Sequence, residues 1–319
     1  MEQLPLGLRS QDIRPPVLLE QQVFEDHFIF RFDETLAAGE FAQIHPRLPH
    51  AETSISTNTL TIRLAQRMTP GMPYLVRASV NDGNKNTLNF LARVYGKNLN
   101  PASLLINELN PEGSKSSGSP EVVELYVLKG GNLGGLTFTV GSLEENKGSF
   151  VFPLMDVVTG DFILLHTRWG HSKDLRRVNE TTEKNQAKAR LSSDQAWDFW
   201  AEDISGLSDT NEALALYQSP QGVLLDVVIY STSKTGSRYR GWRTSYLERQ
   251  VDRLSSGWKG QSSLVPEDAI RSKDSTGTRS LSRRHRNGVP IDTDSSADWI
   301  IVKTRKYSFG AVNSSEPHS

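Results

Sequence analysis

Phe28-Ile29-Phe30-Arg31-Phe32 and Asn58-Thr59-Leu60-Thr61-Ile62-Arg63-Leu64 decide the fold class. In the first, phenylalanine returns at every second position. In the second, Leu60, Ile62 and Leu64 alternate with threonine and arginine. A side-chain period of two marks a strand with one buried face, because successive Cβ atoms point to opposite sides of the pleat. Met68-Thr69-Pro70-Gly71 then turns the chain: proline presets φ and glycine tolerates a positive one. Residues 74–80 form another strand, which runs into the turn Asn81-Asp82-Gly83-Asn84. Short strands separated by turns at intervals of about ten residues point to a β-sandwich.

Beyond a break at residues 96–101 the same grammar resumes. Leu104-Leu105-Ile106-Asn107-Glu108-Leu109-Asn110-Pro111 opens a second unit, and Glu121-Val122-Val123-Glu124-Leu125-Tyr126-Val127 follows a Gly/Ser/Lys loop. The glycines at 130–135 turn the chain between strands. A phosphate cradle would need a helix after them, and Thr137-Phe138-Thr139-Val140 reads as strand. Residues 150–154 and 161–166 are further strands, and 213–218 with 223–230 make a hairpin. Two stretches break the pattern. Trp197, Trp200, Ala201 and Ile204 share a helical face after Ser192-x-x-Gln195, and Leu247, Val251 and Leu254 share one after Ser245-x-x-Glu248. Each reads as a capped amphipathic helix.

Composition narrows the chemistry. The 319 residues are 36% hydrophobic, enough to bury a core in each half, and their formal net charge of −1 gives no whole-chain attraction to nucleic acid or membrane. The absence of cysteine excludes disulfides, thiolate nucleophiles and cysteine-ligated metals. No apolar run reaches the ~18 residues of a membrane span. The histidines at 27, 45, 50, 166, 171, 285 and 318 form no His-Glu-x-x-His pair. Ser231-x-x-Lys234 overlaps Lys234-Thr235-Gly236, and one lysine cannot serve both elements of a serine acylation site. There is no Gly-x-Ser-x-Gly elbow and no Gly-x-x-x-x-Gly-Lys phosphate loop.

Two resemblances sharpen this outline. Residues 17–98 resemble the bacterial Ig-like domains, on Phe30, Phe32, Asn58, Leu60, Ile62, Pro70-Gly71, Tyr74, Val76, Asp82 and Asn84. Residues 101–313 resemble the lamin tail domain. The likeness opens on Ile-Asn-Glu-Leu-Asn-Pro at 106–111 and Glu-Val-Val-Glu-Leu-Tyr at 121–126. It continues through Leu-Gly-Gly-Leu-Thr-Phe at 133–138, Gly-Asp-Phe-Ile-Leu-Leu at 160–165, Leu214 and Leu216, and Gly222, Asp226 and Tyr230. It closes on Ser-Leu-Ser-Arg at 280–283, Asp298-Trp299 and Ser-Phe-Gly-Ala-Val-Asn at 308–313. The resemblances imply an all-β chain of two tandem immunoglobulin-like β-sandwiches behind a flexible leader at 1–16. The second sandwich carries partly helical insertions at about 167–210 and 231–278. They also imply an exported protein, periplasmic or at the cell surface, with Met1 an initiator placed where a signal peptide was removed.

Candidate sites follow from charge. Glu108, Glu121 and Glu124 suggest paired carboxylates, but alternation allows only one of Glu121 and Glu124 to face inward, so an ion pair of Glu124 with Arg283 is expected. Asp292, Asp294 and Asp298 are either calcium ligands or a structural turn. From residue 238 to 306 there are fifteen Lys/Arg against eight Asp/Glu. Within this segment Arg279, Arg283, Arg284, His285 and Arg286, with Trp242 and Tyr246, form a candidate binding surface or a solvated rim. No cofactor is expected. The sequence thus points to a non-enzymatic interaction or scaffold protein of the bacterial cell envelope or exterior, binding a protein or an anionic polymer. The alternatives are polyanion or nucleic-acid binding through 238–306, and an accessory role in a hydrolase or nuclease system.

Overall fold

Turn residues cut the first part of the chain into seven strands. A computed structural model describes residues 12–113, 120–168, 176–233, 244–259 and 264–318, and the chain divides into two compact units, Met1–Leu99 and Asn100–Ser319. Most of the leader expected at 1–16 lies outside the described residues. In the first unit the strands are β1 (Leu18–Val23), β2 (His27–Phe32), β3 (Ala38–His45), β4 (His50–Ser56), β5 (Thr59–Leu64), β6 (Pro73–Asn81) and β7 (Thr87–Tyr95). They form two sheets, in the orders β1-β2-β5-β4 and β3-β6-β7.

The alternating residues supply the core of this sandwich. Phe28, Phe30 and Phe32 of β2 and Leu60, Ile62 and Leu64 of β5 meet Ile44, Tyr74, Val76, Val80 and Val94 from the facing sheet. Phe30 and Phe90 pack edge to face, with ring centroids 5.1 Å apart.

The second unit is a larger sandwich. Its strands are β8 (Ser103–Asn110), β9 (Glu121–Lys129), β10 (Gly131–Asn132), β11 (Thr137–Gly141), β12 (Asn146–Val151), β13 (Asp156–Val157), β14 (Phe162–Arg168), β15 (Ala196–Trp200), β16 (Asn211–Tyr217) and β17 (Leu224–Ser231). After helix α1 (Thr244–Leu254) come β18 (Ile270–Arg271), β19 (Leu281–Arg283), β20 (His285–Arg286), β21 (Val289–Pro290) and β22 (Trp299–Ile301). A six-stranded sheet, β15-β14-β9-β8-β19-β22, faces a five-stranded one, β12-β11-β16-β17-β18. One continuous core lies between them, including Ile106, Leu125, Phe138, Ile163, Leu214 and Val228. The six-stranded sheet is also covered on its outer face, where Val122, Tyr126, Phe162 and Leu164 pack with Leu191 and Phe309. The chain is therefore all-β apart from one α-helix and short 3-10 turns among the described residues. No described helix is long and apolar enough to cross a membrane.

The helix expected over 192–204 is a strand instead. β15 pairs in parallel with β14, Ala196 opposite Phe162 and Trp200 opposite His166. Ala196, Asp198 and Trp200 lie on the covered outer face, and Phe199 and Ala201 in the main core, all of them buried. A strand buried on both faces has no clean period of two, so its aromatics mimic helical spacing.

α1 occupies the other expected helical stretch. Leu247, Val251 and Leu254 enter the core, Gln250 Oε1 accepts the Ser142 amide at 2.7 Å, and Tyr246 Oη donates to the Val140 carbonyl at 3.1 Å. The helix lies so close to β11 that a Cβ on Gly141, whose φ is +104°, would collide with that hydroxyl.

Phe30→Ala is expected to destabilise the first unit by about 3–5 kcal/mol, the usual cost of emptying a fully buried phenylalanine site. Native-state hydrogen exchange of the β2 and β5 amides measures it, and unchanged protection would contradict the core assignment.

Candidate functional site

The polar residues of the second unit are arranged by strand register. Glu124 of β9 lies directly opposite Glu108 of β8, and Glu108 opposite Ser282 of β19. All three side chains therefore share the outer face of the six-stranded sheet. Both carboxyls are fully buried. Glu108 accepts hydrogen bonds from the Ser280 hydroxyl, from Ser282 Oγ at 2.7 Å, and from Ser308 through its amide at 3.0 Å and its hydroxyl at 2.9 Å. Glu124 accepts from Asn107 Nδ2 at 2.7 Å and from the Gly310 amide at 2.5 Å. Burial raises the pKa of both, and for Glu124 the neighbouring Glu108 charge pushes it further, well above the usual carboxylate value.

These groups strap residues 308–313 across the sheet. Gly310 has φ +83°, and a Cβ there would strike Ser193. Asn313 closes the strap by exchanging amide hydrogen bonds with Asn107 at 2.9 and 3.2 Å and by donating to the Arg283 carbonyl at 2.8 Å.

Arg283 belongs to the opposite face, which corrects the expected Glu124–Arg283 pair. Ser282 shares a face with Glu124, so its neighbour Arg283 points through the sheet into the main core. There the 1% exposed guanidinium reaches Asp226 of the facing sheet at 3.2 Å, Asp292 at 2.7 Å and Asp298 at 3.9 Å. Its Nε donates to the Ile106 carbonyl at 2.8 Å, and it lies 4.9 Å from the Trp299 ring centroid. Burial pushes Asp226 up to about 6 against the opposing pull of Arg283. Two of the weighed calcium candidates, Asp292 and Asp298, thus face an internal cation, and Asp298 also accepts the Thr293 amide at 2.6 Å. Asp294 sits at φ +55° in the turn between them. Glu121 is buried along with Glu124, since both faces of β9 are covered. Its carboxylate accepts the Leu207 amide at 2.5 Å.

The basic cluster is dispersed rather than assembled. Arg279 is half-buried and donates to His318 at 2.5 Å. His285 is half-buried, bonded to Asn107 Oδ1 at 2.9 Å, and burial lowers its pKa. Arg284 and Arg286 are exposed, at and beside the hairpin of β20 and β21. Tyr246 anchors α1, and Trp242 lies outside the described residues, as do Lys234, Thr235, Gly236 and His171. Other charges of the segment are paired locally: Arg249 and Arg253 with Glu145 at 2.6 Å each, and Lys303 and Lys306 with Glu316 at 3.4 and 3.1 Å.

Three features were not foreseen. His166 and Asp198 form a fully buried pair beneath Trp200, whose ring stacks 4.2 Å from the histidine. Asp12, Glu34 and Asp82 bring carboxylate oxygens within 4.8 Å of one another in the first unit. There Asp82 already accepts the amides of Asn84 and Asn86, each at 2.8 Å. Finally, a groove of about 450 Å³ runs between the edge strands β18 and β22. Ile270, Trp299, Ile300 and Ile301 form its apolar wall, Arg271 and Asp274 its rim, and Pro317 and His318 lie at its margin. Chain separation hid all three, since no local motif joins their residues.

The chain belongs to the family described as TP_1001_2nd, protein second domain, whose model matches residues 102–301. An uncharacterized protein of Treponema pallidum (strain Nichols) is 28% identical over 170 residues, 53% of this chain. The match spans 42% of that protein's own length. A crystal structure of a DUF4876 family protein from Bacteroides thetaiotaomicron VPI-5482 aligns with 86% of this chain and 88% of its own, at 12% identity and a TM-score of 0.31.

Two predictions follow from the Arg283 cluster. Arg283→Ala is expected to cost about 3–5 kcal/mol in urea unfolding, because it leaves buried carboxylates unpaired, and Arg283→Lys is expected to recover little of it, since an ammonium lacks the planar fork. The second concerns pH. A carboxyl raised on folding stabilises fully below its unfolded value and loses that contribution as pH rises through the folded one. For Asp226 the window runs from 3.8 to about 6. Across it the stability difference between Asp226→Asn and wild type is expected to move in the variant's favour, by up to about 1.4 kcal/mol per pH unit. Urea midpoints at pH steps through the window test the sign; a constant difference contradicts it.

Proposed function

We propose that this chain is a non-enzymatic binding module, an interaction or scaffold protein of the bacterial cell envelope or exterior. In this reading the groove between β18 and β22 receives a segment of a protein partner. One observation carries it. Several of its buried charged groups hold the chain's own fold together: Glu108 and Glu124 hold the 308–313 strap, Arg283 joins the two sheets, and Glu180 accepts the amides of Gln186, Ala187 and Asp198 at 2.7–2.9 Å. Among the described residues of the same unit, a groove between two sheet edges combines Ile270, Trp299, Ile300 and Ile301 with polar groups, a setting in which an extended segment can dock.

Two finer readings belong to the same proposal. The first unit is immunoglobulin-like, a reading supported by its strand orders 1-2-5-4 and 3-6-7, those of a seven-stranded constant-type sandwich. The second is lamin-tail-like. Support comes from the places where its matching residues fall: Ile106 to Asn110 in β8, Glu121 to Tyr126 in β9, Ser282 and Arg283 in β19, and Ser308 to Asn313 in the strap. Export to the periplasm or cell surface follows from that likeness.

The test is affinity capture from a bacterial envelope fraction, with quantitative mass spectrometry, using the full chain and two variants. Ile301→Arg places a charge at the half-buried groove wall and is expected to lower recovery of the captured protein at least tenfold. Arg284→Glu combined with Arg286→Glu is expected to leave it unchanged. The opposite pattern, with capture lost on the arginine variant and weakened by salt, would replace this proposal with polyanion binding.

A further inference from the structure

The first unit carries a second open edge, independent of the groove just described. β3 ends the sheet β3-β6-β7 and β4 ends the sheet β1-β2-β5-β4. No strand covers either outer edge among the described residues. Where the chain passes from one edge to the other, a groove of about 570 Å³ is lined by the end of β3, by Arg47, Leu48 and Pro49, and by His50 at the start of β4. Its floor is apolar: Ile44 is 5% exposed, Leu48 and Phe41 pack against the core, and the His50 ring stacks on Phe41 with centroids 4.7 Å apart. Its rim is made of Gln43, His45 and Arg47. None of the nine lining residues is acidic, and Arg47 has no ion-pair partner among the described residues.

We propose that this groove between β3 and β4 binds an extended acidic peptide segment of a partner protein, whose apolar side chains enter it while its carboxylates meet Arg47 and the two histidines. Three observations select this occupant. The apolar floor gives alternate side chains of an extended chain a place to pack, since they point the same way. The unpaired edges offer main-chain donors and acceptors alongside, as in strand addition. The absence of any carboxylate in the lining makes the groove complementary to negative charge. A second copy of this chain fits less well. It would bring the Arg47 side of the groove against the same arginine of the other copy.

The experiment uses the full chain and a fluorescein-labelled eight-residue peptide of alternating valine and glutamate, read by fluorescence anisotropy. Its controls are the same peptide with lysine in place of glutamate, and with alternate backbone amides N-methylated. The glutamate peptide is expected to bind, and its affinity to fall at least tenfold for Arg47→Glu, a substitution at an exposed position that keeps the core intact. N-methylation is expected to cause a comparable loss, and the lysine peptide is expected not to bind. Absence of binding by the glutamate peptide overturns the proposal, as does equal binding to Arg47→Glu. Equal binding of the N-methylated peptide, or equal competition by a sulfated oligosaccharide, overturns it in favour of an unspecific anionic surface. Sedimentation at rising protein concentration covers the remaining occupant. Self-association abolished by Arg47→Glu, without peptide binding, would assign the groove to a second copy.

Discussion

A single guanidinium ties the second unit together. Arg283 extends from β19 into the core between the sheets and meets Asp226 of the facing sheet, Asp292 and Asp298 of the turn before β22, the Ile106 carbonyl of β8 and the Trp299 ring. Each contact fixes a different part of the fold relative to the same planar group. The guanidinium suits this role because its donors point in fixed, coplanar directions and stay charged at any ordinary pH. Desolvating one cation and two buried carboxylates is costly, so the cluster adds less to net stability than its number of bonds suggests. Its effect is on geometry: a shift of β19 by one residue would turn Arg283 to the outer face and leave Asp226 without its cation.

The outer face of the same sheet obeys a related constraint. Glu108 and Glu124 sit side by side on neighbouring strands, where two ionised carboxylates would repel at close range. Donors from the strap and the serines of β19 surround them and favour the ionised forms, but burial, and for Glu124 also the Glu108 charge, outweighs these donors and raises the pKa of both. Residues 308–313 are thus part of the fold and complete a layer that the sheet requires. The same logic covers His166 and Asp198, whose mutual bond accompanies the burial of both groups.

Among the described residues, sheet edges are surfaces open to partners. In each unit two edge strands of facing sheets leave a groove with an apolar floor, β18 and β22 in one, β3 and β4 in the other. Grooves of this kind recognise a chain by its main-chain groups and by alternate side chains, so small differences at the rim set specificity. The rims differ: Arg271 faces Asp274 in the second unit, while Arg47 stands without a carboxylate in the first. The two proposals therefore concern partners of different charge.

The strands with one solvated face were legible in the sequence by themselves. Phe28 to Phe32 and Leu60 to Leu64 declared their buried side through a period of two, and α1 declared its own through Leu247, Val251 and Leu254. Those patterns are local, set by which side of a single element meets water. Where both faces are buried, that signal vanishes, and β15 was read as a helix. The partners of charged groups were equally out of reach. Arg283 and Glu124 looked complementary along the chain, but the register of β8 against β9 and β19 places them on opposite faces of one sheet. Asp226 lies 57 residues from Arg283, and the groove of the second unit joins edges of separate sheets. Sequence determined which segments form strands, because one-sided burial leaves a mark on neighbouring residues. Only the tertiary structure decided which charges meet and which edges stay open, because those follow from strand register and sheet order, which no single segment encodes.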